Sequence, residues 1–180
     1  MSGLRNTSSW RAKLISVHGP ARRWLTDQGS LTRRIIESCP RFSVRHLHQY
    51  SGRADPDESE MCGLSVKPSA LLREVFLYCR ETPVVFAHSV LPYSSLRGAW
   101  TQLGRLGNRP LGAALFANPC VRRAPLEFKR LDARHPLYRR ACAQMDQRPA
   151  YLWARRSLFQ LRGRRILVTE VFLPMLLELS

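Results

Sequence analysis

Two stretches of the sequence decide the fold: Leu71-Leu-Arg-Glu-Val-Phe-Leu-Tyr-Cys79 and Val84-Val-Phe-Ala-His-Ser-Val-Leu91. Both are rich in β-branched, aromatic and other apolar residues, and a short segment, Arg80-Glu-Thr-Pro83, separates them. Apolar runs of this length on either side of a short turn are typical of two antiparallel strands. The sequence therefore predicts a β-hairpin in the middle of the chain.

Further strands are predicted before and after this hairpin. Largely apolar or aromatic residues alternate with other residues from Phe42 to Tyr50, which is the period of a strand. Three more strands are predicted in the second half of the chain, within 121–131, within 151–161 and over 165–173. A turn at Arg162-Gly-Arg164 joins the last two.

Helix signals lie near the start and the middle of the chain. Prolines at first helical positions, a serine N-cap and glycines at helix ends predict four helices, which begin after Gly19, after Ser30, at Ser94 and at Leu111. The polar stretch 51–68 is predicted as a surface loop. Strands joined by hairpins with helices beside them predict an α+β fold, in which an antiparallel sheet has flanking helices.

The length fits a single domain. A globule of 180 residues can bury about 70% of the surface that its unfolded chain exposes. Residues 1–18 are polar, with serine and threonine clustered, and they predict a loosely ordered leader. Residues 19–180 are predicted to form the domain.

The chain is strongly basic. Lysine and arginine number 29 against 13 aspartate and glutamate, which gives a formal net charge of +16. The basic residues are mostly arginines spread in doublets, without a block of five or more. We expect a solvated basic surface that favours a small anionic substrate and has no nucleic-acid partner. Steeply salt-dependent binding to RNA or DNA would support the opposite interpretation.

The cysteines and the apolar runs indicate in which cellular compartment the protein lies. Five cysteines lie far apart without a Cys-x-x-Cys pair, which argues against a disulfide framework and against a zinc site. The longest apolar run, 166–179, is interrupted by Glu170 and Pro174 and is too short for a transmembrane helix. The N-terminal stretch lacks the apolar core of a secretory signal. We expect a cytoplasmic protein with no membrane span and no metal site.

Arg73 and Glu170 are the candidate catalytic residues. Each is a charged residue that alternates with apolar residues on one face of a predicted strand. A buried arginine needs an anionic partner. Either the two side chains form a buried salt bridge or a pair at the rim exposed to water, or they bind an anionic ligand. The pattern favours neither the structural nor the functional interpretation.

Two helix starts and one histidine extend the candidate site. Free N–H groups and the positive end of the helix dipole can bind a carboxylate at Ser30-Leu31 and at Pro110-Leu111. These signals are weak alone, because every helix has an N-terminus. His88 lies in the strand paired with that of Arg73 and could reach the same cavity, although a packed core histidine is the commoner outcome.

Five segments together carry a specific resemblance to a known family: Trp24-Leu-Thr-Asp-Gln-Gly-Ser-Leu-Thr-Arg-Arg34, Leu72-Arg-Glu-Val-Phe-Leu77, Val90-Leu-Pro92, Leu106-Gly-Asn-Arg-Pro-Leu-Gly112 and Leu167-Val-Thr-Glu-Val-Phe-Leu-Pro174. In this order and approximate spacing, they resemble the chorismate pyruvate-lyase family of bacterial ubiquinone synthesis. No one of these segments alone would be specific.

The resemblance implies an enzyme that eliminates pyruvate from chorismate, leaves 4-hydroxybenzoate and uses no cofactor. It implies that Arg73 binds the ring carboxylate and that Glu170 contacts the hydroxyl end of the ring, as a proton-transfer or a positioning group. It also implies that the backbone near Leu31 and Leu111 meets the ligand carboxylate. We expect the protein to be a monomer.

A binding module is the competing function. Effector-binding domains of some transcription regulators resemble this fold and hold small molecules without turnover. In that case the protein would bind a small aromatic carboxylate and leave chorismate intact.

Overall fold

An antiparallel sheet forms the centre of the computed structural model, which describes residues 9–64 and 70–179, with the side chains of residues 46 and 47 excepted. Within these ranges the sheet has seven strands: β1 Phe42–Gly52, β2 Ala70–Cys79, β3 Thr82–Pro92, β4 Arg122–Arg123, β5 Glu127–Leu131, β6 Leu152–Leu161 and β7 Arg164–Phe172. Neighbouring strands follow the order β1-β2-β3-β7-β6-β4, and β5 also pairs with β6. The predicted α+β class and central hairpin are confirmed.

The register of the central strands sets which side chains share a face. In the β2–β3 hairpin Arg73 lies opposite Ser89, and between β3 and β7 Ala87 lies opposite Glu170. Because side chains alternate between faces along a strand, Arg73 and Glu170 lie on the same face of the sheet. We call this the front face, and the opposite face, which carries Glu74 and His88, the back face.

Helices cover both faces of the sheet. Their bounds are α1 Gly19–Thr26, α2 Leu31–Ser38, α3 Pro56–Cys62, α4 Tyr93–Leu96, α5 Leu111–Ala117 and α6 Pro136–Ala141. Apolar residues of α1, α2 and α5 pack on the front face, and those of α3 and α6 pack on the back face. The predictions for α1, α2 and α5 are confirmed. Ser30 caps α2 as expected, because its Oγ accepts a hydrogen bond from the N–H of Arg33 at 3.3 Å.

Two local predictions are wrong. The stretch 51–68, expected to be a loop, contains α3, which begins with a capping box between Asp55 and Glu58. The helix expected over 94–106 breaks into α4 and a separate 3-10 turn over 101–105. Gly98 and Gly104 weaken a continuous helix, and the Trp100 indole donates instead to the carbonyl of Arg164 at 2.9 Å. Residues 65–68 of the expected loop lie outside the described residues.

Part of the stretch interpreted as a leader contacts the domain. The backbone of Arg11 exchanges two hydrogen bonds with Phe128 of β5, at 2.9 and 2.8 Å, and Val17 is buried. The first eight residues of that stretch lie outside the described residues.

The expectation of no disulfide is wrong. Cys39 and Cys79 form a disulfide that joins the end of α2 to the end of β2, across 40 residues of sequence. Spacing along the chain could not reveal this pair, because only the packing of α2 beside the β1–β2 pair brings the two residues together. Of the helices in the described ranges, none is long and apolar enough to cross a membrane.

Candidate active site

A cavity lies on the front face, beneath the starts of α2 and α5. Five strands of the sheet and these two helices supply its lining. Arg73 and Glu170 line it, together with Leu31 and Leu111 from the two helix starts. The fold therefore brings together the four residues that the family resemblance implies.

Arg73 is a buried cation without a carboxylate partner among the described residues. Its Nη2 donates to the carbonyls of Gly107 and Arg109, both at 3.0 Å, and its Nε has no hydrogen-bond partner among the described residues. No salt bridge joins it to an acid in the described ranges. Burial lowers the pKa of Arg73 to about 10, so the guanidinium stays charged at neutral pH.

Glu170 has a partner other than Arg73. The two residues opposite each other in β6 and β7 are Arg155 and Glu170, and Arg155 Nε donates to Glu170 Oε2 at 2.6 Å. Arg155 is fully buried, and its Nη1 also donates to three carbonyls at the C-terminal end of α1, those of Trp24, Leu25 and Asp27. The alternative of an Arg73–Glu170 salt bridge is therefore wrong, and Glu170 reaches the cavity as the partner of Arg155.

The two helix starts meet above Arg73. A Cβ atom placed on Gly112 would lie 3.2 Å from Thr32 Oγ1 and 3.5 Å from Ser30 Oγ, so the starts of α5 and α2 are in close approach. Glycine permits this approach because it has no side chain. Leu31 and Leu111 are both buried at this junction.

Arg123 is a second arginine in the cavity lining, and its place there was not predicted from the sequence. Its Nη1 donates to the carbonyl of Gln28 at 2.9 Å, and its guanidinium lies 5.5 Å from the ring of Phe116 and 5.4 Å from that of Phe159. Its buried Nε has no partner in the described part of the chain. Burial lowers the pKa of Arg123. It belongs to the doublet Arg122-Arg123 in a strand of two residues, which is too short to show an alternating pattern.

His88 lies on the back face and does not line the cavity. Its Nδ1 is 2.9 Å from Glu74 Oε1, and its Nε2 is 3.4 Å from Glu58 Oε1. Burial by itself would lower the pKa of His88, but its interactions with Glu58 and Glu74 raise this pKa to about 9. The expectation that His88 reaches the cavity of Arg73 is corrected, because neighbouring residues on a strand point to opposite faces.

The family model described as chorismate lyase matches residues 4–178. The chain belongs to the chorismate lyase family. It is 54% identical to a probable chorismate pyruvate-lyase of Aromatoleum aromaticum, over 97% of this chain and 96% of that protein. It is 52% identical to another of Nitrosospira multiformis, over 96% and 97% of the two chains.

Solved structures with low sequence identity share the fold. The C-terminal domain of PhnF aligns with a TM-score of 0.57 and 12% identity, over 81% of this chain and 87% of that one. The ligand-binding domain of a putative GntR-family transcriptional regulator from Bordetella bronchiseptica aligns with a TM-score of 0.55 and 18% identity, over 74% and 85%. At these identities the likeness concerns the fold alone.

Proposed function

We propose that this chorismate lyase family member is an active chorismate pyruvate-lyase, whose reaction takes place in the cavity beneath α2 and α5. One observation carries the proposal: Arg73 is a buried guanidinium that lines the cavity without a carboxylate partner in the described ranges. An anion stabilises a buried charge of this kind. Family membership supports chorismate as that anion, and the product is 4-hydroxybenzoate, with ubiquinone synthesis as its use.

Arg73 binds the ring carboxylate, which chorismate and 4-hydroxybenzoate share. Its Nη2 is fixed by the carbonyls of Gly107 and Arg109, so the rest of the planar guanidinium is oriented before the ligand arrives. Main-chain N–H groups at Leu31 and Leu111 bind the same carboxylate. This site orients one end of the ring.

Arg123 binds the second carboxylate of chorismate, the one on the enolpyruvyl ether. Among the described residues, Arg73 and Arg123 are the two cavity-lining arginines whose Nε has no hydrogen-bond partner. The rings of Phe116 and Phe159 lie beside the Arg123 guanidinium and help to hold it in place. 4-Hydroxybenzoate lacks this carboxylate. Arg123 therefore distinguishes substrate from product.

Glu170 contacts the hydroxyl end of the ring. Its ion pair with the buried Arg155 holds the carboxylate in one orientation, so it accepts a hydrogen bond from the ring hydroxyl. The three carbonyls bound to Arg155 tie this pair to the C-terminal end of α1. Glu170 thus fixes the end of the ring at which the carbon–oxygen bond breaks.

The reaction is an elimination that makes the ring aromatic. The ether bond between the ring carbon and the enolpyruvyl oxygen breaks, and that oxygen becomes the ketone oxygen of pyruvate. The hydrogen on the ring carbon that bears the hydroxyl moves to the methylene carbon of the departing group. Atoms and electrons balance whether this hydrogen moves within the substrate or through Glu170. The protein supplies orientation and a cavity that keeps out water.

The test is to mix purified protein with chorismate, without added metal or nucleotide, and to measure both products by chromatography. Equal amounts of pyruvate and 4-hydroxybenzoate are the expected result. Intact chorismate, with 4-hydroxybenzoate still bound by the protein, would support the second candidate, a binding module. That candidate is favoured by the likeness of the fold to a ligand-binding domain of a transcription regulator. A cytoplasmic location, a monomeric state and the absence of nucleic-acid binding stay predictions.

A further inference from the structure

A groove separate from the cavity runs between residues 9–18, β5 and the beginning of β6. Its volume is about 680 Å³, compared with about 40 Å³ for the cavity beneath α2 and α5. Leu152, Phe172 and Leu177 give it an apolar floor. We call it the basic groove, because arginine and lysine side chains line it.

Four cationic side chains line the basic groove: Arg11, Lys13, Lys129 and Arg130. No aspartate or glutamate lines it in the described part of the chain. None of the four cations forms a salt bridge within the described residues, whereas other arginines of the chain do so. The positive charge of this surface is therefore available to an anionic partner.

Exposed apolar side chains border the same groove. Ile15 is 62% exposed and Tyr151 is 45% exposed, and both line it. Met175, 40% exposed, follows Pro174, which also lines it. Two of the five large apolar side chains that are exposed in the described residues thus line one groove. Large exposed apolar groups among polar neighbours mark an interaction surface.

The combination of side chains identifies the partner. Nucleic acid offers phosphates to the cations but no apolar partner to the exposed Ile15 side chain. A peptide strand could not extend the sheet beside Phe128, because Arg11 already occupies that position. A bilayer with anionic lipids offers a partner to each kind of side chain in the groove. Its phosphates attract the cations, its interface favours tyrosine, and its acyl chains accept the apolar side chains.

We propose that the basic groove docks this protein on the surface of a bilayer that contains anionic phospholipids. Lys13 and Arg130 meet the lipid phosphates, and Ile15 and Tyr151 enter the interface between them. Docking does not require the lyase reaction, because the cavity and the basic groove are lined by different residues.

The test is co-sedimentation of the intact protein with vesicles of phosphatidylcholine, alone or mixed with phosphatidylglycerol. We expect binding to the mixed vesicles that weakens as salt rises. The double variant Lys13→Glu/Arg130→Glu should reduce this binding about tenfold or more. Ile15→Ser should reduce the binding that persists at high salt, because it removes the apolar contribution.

The matched control is Arg162→Glu/Arg164→Glu, two exposed residues in the turn after β6 and at the first position of β7. It changes the net charge by the same amount and should keep vesicle binding nearly intact. Circular dichroism checks that each variant is folded. An equal loss in both double variants would overturn the proposal, because the total charge would then be the cause. Absence of vesicle binding, or groove-dependent binding of a single-stranded oligonucleotide in its place, would overturn it as well.

Discussion

Arg155 and Arg156 follow each other in β6, so their side chains lie on opposite faces of the sheet. On the back face, Arg156 binds two carboxylates, Glu127 at 2.7 Å and Asp57 at 2.5 Å. On the front face, Arg73 binds only carbonyls in the described structure and keeps a free Nε. Burial of an arginine thus does not by itself mark a binding site. The mark is a buried cation that the described structure leaves without a carboxylate partner.

The back face also pairs its buried charges around His88. This histidine lies between Glu58 and Glu74, and Arg140 Nε is 3.0 Å from Glu74 Oε1. Two cationic and two anionic groups therefore compensate one another where α3 and α6 pack on the sheet. We infer that the back-face charges serve stability and the front-face charges serve the ligand.

The largest expected effect comes from Arg73→Lys. Lysine keeps the charge but loses the planar fork, so kcat/KM for chorismate should fall about a hundredfold. The matched variant on the back face is Arg156→Lys, which should keep activity but lower the free energy of unfolding by about 1–2 kcal/mol. Steady-state kinetics and urea denaturation of both variants measure the contrast. Unchanged turnover in Arg73→Lys would contradict the role of Arg73.

Arg123→Met should act on the substrate more than on the product. Loss of the second cation should raise KM for chorismate about thirtyfold, since a charge-assisted hydrogen bond contributes roughly 2 kcal/mol. The Kd of 4-hydroxybenzoate, which has a single carboxylate, should change little. Calorimetric titration of the product beside the kinetics separates the two effects. An equal loss of affinity for both ligands would show that Arg123 supports the cavity wall instead.

Glu170→Gln should lower kcat about tenfold, because the amide weakens the contact with the ring hydroxyl. It also leaves Arg155 buried without its anion, so the free energy of unfolding should fall by about 2–3 kcal/mol. The pH dependence of kcat decides the role of Glu170. If the profile keeps its shape, Glu170 positions the ring, whereas a profile that becomes flat identifies it as a proton-transfer group.

His88→Gln should have the smallest effect on activity, with kcat/KM unchanged at neutral pH. Its effect is on stability, because the folded-state pKa of His88 is raised from 6.5 to about 9. The raised pKa stabilises the fold fully below about pH 6.5, and this contribution is lost as the pH rises through 9. Urea denaturation at several pH values should show that decline in the natural protein and a flatter profile in the variant. A loss of activity would place His88 with the front-face residues.

The sequence predicted the parts of the site that lie on long strands. Arg73 and Glu170 could be singled out because each interrupts an apolar strand of nine or ten residues, where the period of two is visible. Arg123 could not, because β4 has two residues and its side chain is held by a distant carbonyl and two rings. His88 was misplaced, since β3 is buried on both faces and its sidedness is not encoded in apolarity.

The sequence by itself determined the antiparallel α+β framework, the two helix starts, and the charged residues that apolar strands carry into the interior. These follow from local periodicity and capping, which act over a few residues. Only the tertiary structure decided that Glu170 pairs with Arg155, that Arg123 joins the cavity, and that Cys39 meets Cys79. The physical reason is that each of these contacts depends on strand register or helix packing between residues far apart in the chain, and a one-residue change of register would reverse the face of every side chain.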